Sequence, residues 1–86
     1  MQKILYSFRE SRKFTAQLPE LLSDEDYSEL QIELIDCPTG GKVIKGSGGI
    51  RKIRWAAKNQ GKRGGARVIY YLAVSKSQIF MLDNLR

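Results

Sequence analysis

From Ala66 to Val74 the side chains alternate with a period of two. Val68, Tyr70, Leu72 and Val74 fall on one face, and Arg67, Ile69 and Tyr71 fall on the other. A strand with one buried face accounts for that pattern, so the chain must build a sheet and something apolar to cover it. Ile50 to Ala57 repeats the pattern, with Arg51, Ile53 and Trp55 against Ile50, Lys52 and Arg54. Parity therefore places Trp55 and Tyr70 in the core. Between the two strands runs Lys58-Asn59-Gln60-Gly61-Lys62-Arg63-Gly64-Gly65, a basic, glycine-rich turn too long for a two-residue hairpin.

The remaining elements fit around this pair. Lys3 to Phe8 is rich in β-formers and reads as a first strand. Phe14, Leu18, Leu21 and Leu22 recur at roughly helical spacing, with Pro19 placed to bend or split that helix. Ser23-Asp24-Glu25-Asp26 resembles a capping box that opens a second helix, its carboxylates favoured by the helix dipole. Tyr27, Leu30, Leu34 and Ile35 form its apolar stripe, while Asp24, Glu25, Glu29 and Glu33 face solvent. Pro38 and Gly40-Gly41 end it. Val43-Ile44 is a short strand, Ser75-Lys76-Ser77 a turn, and Gln78 to Leu82 a last strand. The expected fold is α+β over residues 1–86 as a single domain. It has a small antiparallel sheet of about four strands, with two N-terminal helices packed on one side.

Composition narrows the chemistry. The chain has no histidine and one cysteine, Cys37, which removes Ser-His and Cys-His triads, the usual zinc sites and an internal disulfide. No apolar run approaches the ~20 residues of a membrane span. The start turns charged too early for a signal peptide, so a cytoplasmic protein with no membrane partner is expected. Gly46-Ser47-Gly48-Gly49 lacks the lysine of a phosphate loop. It leads into a strand, with Arg51 where a dinucleotide fingerprint has its third glycine. It reads instead as a loop of positive φ angles.

Charge is divided unevenly. Residues 1–36 carry four basic and eight acidic side chains, and residues 37–86 carry eleven basic and one acidic. No acid lies between Lys42 and Arg67, a stretch holding nine cations, and such a block repels itself until a polyanion neutralises it. If the two alternating strands pair, Lys52, Arg54 and Arg67 share one face, with Tyr71 further along it. Arg offers a planar fork to phosphate oxygens, and Tyr can stack on a base or hand over a proton.

Three strings carry a further signal: LLSDEDYSELQ (Leu21–Gln31), GSGGIRKIRWAA (Gly46–Ala57) and GKRGGARVIYYL (Gly61–Leu72). They closely resemble the RelE/ParE superfamily of bacterial toxins, in its HigB-like branch, over roughly residues 3–82. The resemblance implies a RelE-like fold and a cytoplasmic toxin of a type II toxin–antitoxin system. The toxin would be a ribosome-dependent endoribonuclease that cuts mRNA in the A site, uses no metal or other cofactor, and is held in check by a helix-turn-helix antitoxin. By the same resemblance, Arg67 contacts the scissile phosphate and Lys52 and Arg54 form the basic pair beside it. Arg51, Lys58, Lys62 and Arg63 touch the RNA backbone, and Tyr71 is the candidate for stacking or acid work. Two other readings stay open: a non-catalytic module that binds nucleic acid or antitoxin, and a ParE-like gyrase inhibitor.

The family continues past its last strand with an aromatic residue, a Lys-Asn pair and a helix, whereas this chain reads Ile79-Phe80-Met81-Leu82-Asp83-Asn84-Leu85-Arg86. That difference leads to the expectation of an impaired nuclease. Its apolar last strand would lie at a sheet edge, open to a homodimer partner or an antitoxin segment.

Overall fold

The computed structural model describes residues 6–55 and 66–85. The elements run β1 (Ser7–Glu10), α1 (Arg12–Leu21), α2 (Asp24–Asp36), β2 (Lys42–Val43), β3 (Ile50–Trp55), β4 (Ala66–Ala73), a 3-10 turn (Val74–Lys76) and β5 (Gln78–Leu85). Two helices thus lie beside one sheet in an α+β arrangement.

Both helices start on a serine whose oxygen takes up an otherwise unpaired backbone N–H. Ser11 Oγ accepts from the Phe14 amide and Ser23 Oγ from the Asp26 amide, each at 3.0 Å. Three acids in the first turn of α2 suit the positive end of its dipole. Pro19 neither splits α1 nor ends it at once; the helix runs through and closes two residues later at Leu21. Proline is tolerated here because only one intrahelical bond is lost, and it falls in the last turn.

The strand order is β1-β5-β4-β3-β2. β2, β3, β4 and β5 are antiparallel neighbours, but β1 joins β5 in parallel, with Ser7 opposite Gln78 and Glu10 opposite Met81. The sheet is therefore five-stranded and mixed, larger than the four antiparallel strands expected. The first strand also sits later than expected, at Ser7–Glu10; residues 3–5 of the expected strand lie outside the described residues.

This topology corrects the expectation of a C-terminal edge strand. β5 lies inside the sheet, bonded to β4 on one side and β1 on the other, and it extends to Leu85. Over Gln78–Met81 a homodimer has no free ladder to pair onto, and beyond it Ser11 and Gln17 already hold the Leu82 carbonyl and the Asn84 amide. The edges are β1 and the short β2.

The apolar parity of β4 packs as the alternation requires. Val68 and Tyr70 are fully buried with Ile79 and Met81 of β5, under Phe14, Leu30 and Leu34 of the helices and Leu22 just past the end of α1. Ile53, Trp55 and Leu72 pack against this cluster from the same face. Val74 departs from the pattern: the strand ends at Ala73, and Val74 turns out to solvent at 65% exposure. A bulge between Ile69 and Tyr70 shifts the register with β5, so that Asn84 comes to lie opposite Val68 on the core face.

Candidate nucleic-acid interface

The register of β3 and β4 decides which cations meet. Arg54 lies directly opposite Arg67, and Lys52 lies opposite Ile69 two residues along. Because directly paired residues of an antiparallel ladder point to the same face, Lys52, Arg54 and Arg67 stand together on the face away from the helices. All three are exposed. The sequence reading missed a fourth member: Lys42 of β2 pairs with Lys52, which puts its side chain on that same face. Its signal was present in the acid-free basic block, but only the two-residue β2 ladder shows which way it points.

These side chains line a groove of about 490 Å³ together with Gly40 and Ile53. No acidic side chain is among the described lining residues. Two like-charged cross-strand pairs, Lys42–Lys52 and Arg54–Arg67, therefore sit side by side, an arrangement that costs stability.

One wall of the groove is held from beneath. The buried Tyr70 hydroxyl donates to the Pro38 carbonyl at 2.8 Å and accepts from the Gly41 amide at 2.9 Å. Burial raises the Tyr70 pKa, a push only partly offset by the Gly41 hydrogen bond and the Arg51 charge. Arg51 lies on the core-side parity of β3. Its Nη1 donates to the Gly41 carbonyl at 2.8 Å and the Thr39 carbonyl at 3.2 Å. The structure thus separates Arg51 from the other cations and gives it the Pro38–Gly41 loop to hold. Gly41 fits because it lacks a Cβ, which would stand 2.7 Å from the Tyr70 hydroxyl and 2.9 Å from the Lys52 carbonyl.

Tyr71 shares the cation face but not the groove. It pairs with Ile50 on one side and Phe80 on the other, and its ring meets that of Phe80 at 6.5 Å between centroids. It belongs to a second, more apolar groove further along the strands. Lys58, Lys62 and Arg63 lie outside the described residues.

The Gly46–Gly49 loop has the positive φ angles expected of it, 77° at Gly46, 79° at Gly48 and 110° at Gly49. Ser47 Oγ pins it by donating to the Ile44 carbonyl and accepting from the Ile50 amide. It feeds β3 into the sheet and lines the second groove.

The chain matches no protein-family model. Among solved structures, a doubly substituted E. coli toxin RelE in the free state superposes with a TM-score of 0.69 at 15% identity, covering 95% of this chain and 83% of that one. The intact E. coli RelBE toxin–antitoxin complex contains a chain that superposes with a TM-score of 0.71 at 16% identity, covering 94% of this chain and 95% of that one. The fold is RelE-like. No helix among the described residues is long and apolar enough to cross a membrane.

Proposed function

We propose that this chain is the toxin of a type II toxin–antitoxin pair, of the HigB-like branch, and that it cuts mRNA on the ribosome. The observation that carries the proposal is the gathering of Lys42, Lys52, Arg54 and Arg67 on one exposed sheet face, with no acid among the described lining residues. A polyanion relieves that repulsion, and the RelE-like fold together with the three sequence strings favours RNA as the polyanion. An antitoxin partner follows by analogy with the RelBE complex.

In the mechanism we assign, the RNA 2′-oxygen attacks the adjacent phosphorus as its proton passes to water, forming a 2′,3′-cyclic phosphate. The bond from phosphorus to the 5′-oxygen breaks, and that oxygen takes up a proton from water as it departs. Negative charge builds on the non-bridging oxygens between these events. Arg67 and Arg54, cross-strand partners on one face, bind that charge side by side. Lys52 clamps the phosphate, and Lys42 holds a neighbouring phosphate. The chain itself supplies no histidine, so orientation on the ribosome supplies much of the rate.

Inducing the chain without its antitoxin tests this. Growth arrest should come with ribosome-dependent cuts inside codons, mapped by primer extension on a translated message. Equal cleavage of naked RNA would refute the ribosome-dependent mechanism. Normal growth at confirmed expression would favour a non-catalytic binding module.

A further inference from the structure

The face that carries the cations continues into a groove that the cleavage mechanism does not use. Tyr71, Phe80, Ile50 and Leu82 form its apolar floor, the Ser47–Gly48 turn one side, and Ala73 to Lys76 the other, around about 610 Å³. Tyr71 keeps 38% of its surface exposed. None of the described lining residues is acidic, and Lys76 lies at the rim. Along β4, Arg67 and Tyr71 are four residues apart on one face, about 13 Å at the rise of a strand.

One side of the sheet thus runs from cations to aromatic rings to a cation. An extended polyanion with a flat apolar group on every unit matches that order, and single-stranded RNA is such a polymer. An apolar helix would cover the rings equally well but would leave the flanking cations unanswered. We infer that the Tyr71–Phe80 groove is a nucleobase site, where a base of the same strand stacks while its neighbouring phosphates lie on Lys52, Arg54 and Arg67. The inference rests on the RNA reading above and extends it from phosphate contacts to base contacts. The site prefers base-bearing strands of any sequence, because every base offers a π-face and the groove presents few fixed hydrogen-bonding groups.

The test compares a short adenine-rich single-stranded RNA with an abasic strand of equal length and charge, by fluorescence anisotropy at low salt. The proteins are wild type, Tyr71→Leu, Phe80→Leu and Arg67→Ala, each checked by thermal melt. Wild type should bind the RNA about tenfold more tightly than the abasic strand. Each leucine variant should lose most of that difference while keeping its salt dependence, since leucine retains apolar bulk but not the ring. Arg67→Ala should instead weaken both strands alike and lower the salt slope by about 0.7. In wild type, 2-aminopurine in the RNA should be quenched on binding, and less so in Tyr71→Leu.

Equal binding of the two strands by wild type, with a normal salt slope, would overturn the base site and leave the phosphate groove standing. Failure of wild type to bind either strand in a salt-dependent way would overturn the RNA reading itself. Unchanged RNA affinity in Tyr71→Leu, with loss of a self-association seen by light scattering in wild type, would assign the groove to protein and overturn the inference.

Discussion

Arg54 and Arg67 are direct cross-strand partners on an exposed face, two cations set against each other where a stability-optimised sheet would pair opposites. The arrangement predicts that function and stability respond in opposite directions. Arg54→Thr should leave the thermal midpoint unchanged or raise stability by up to about 1 kcal/mol. The same change should weaken RNA binding and lower cleavage on ribosomes. A melt and a cleavage assay on the one variant decide it.

Arg67→Ala should fold normally and lose about 10²- to 10³-fold in cleavage, the cost of one missing charge-binding donor. Val68→Asp, one residue on and fully buried, should unfold the domain, since an unpaired buried charge costs several kcal/mol. Circular dichroism melts of both variants check the face assignment.

The loop under the cation groove gives a third prediction. Tyr70→Phe should cost about 1–3 kcal/mol, because it leaves the Gly41 amide and the Pro38 carbonyl without their shared partner. Gly41→Ala should cost a similar amount by forcing a Cβ against the Tyr70 hydroxyl. Both changes move Lys42 and Gly40, so both should weaken RNA binding while Lys52, Arg54 and Arg67 are intact. Denaturant titration and RNA binding, read together, test the link.

Much of this was legible in the sequence. The parity of Arg67, Val68 and Tyr70 followed from period-two alternation. The start of α2 followed from Ser23 and its acids, because these signals are local. Lys42 and Arg51 were not legible in the same way. Whether a lysine at the end of a two-residue strand joins a cation face depends on its register with Lys52. Whether an arginine binds RNA or a loop depends on which carbonyls come within its reach. The place of β5 was hidden too: Ile79-Phe80-Met81-Leu82 shows burial on both faces, but not that β1, nearly a whole chain away, pairs with it. Nothing in either segment alone encodes that partner.

A fourth prediction concerns acid. Burial raises the Asp83 pKa, but the Gln17, Lys13 and Asn84 amide hydrogen bonds outweigh it, so the carboxyl sits below its ordinary value. The stability it contributes is complete above the unfolded-state pKa and is lost as pH falls through the lower folded value. Thermal midpoints of wild type should therefore fall across that acidic window, and Asp83→Asn should show a shallower decline there.

The parallel contact between β1 and β5 has a bearing on synthesis. Residues 7–10 are made early, yet the strand they pair with, residues 78–85, is made only after both helices and the other three strands. Until then β4 is a bare margin, and Val68 and Tyr70 lack Ile79 and Met81 beside them. A nascent chain whose β5 has not yet emerged from the ribosome therefore holds no finished core to brace the cation face. Pairings of such sequence separation form late and slowly. By this topology the cation face gains its full support only once β5 has emerged and paired with both β4 and β1.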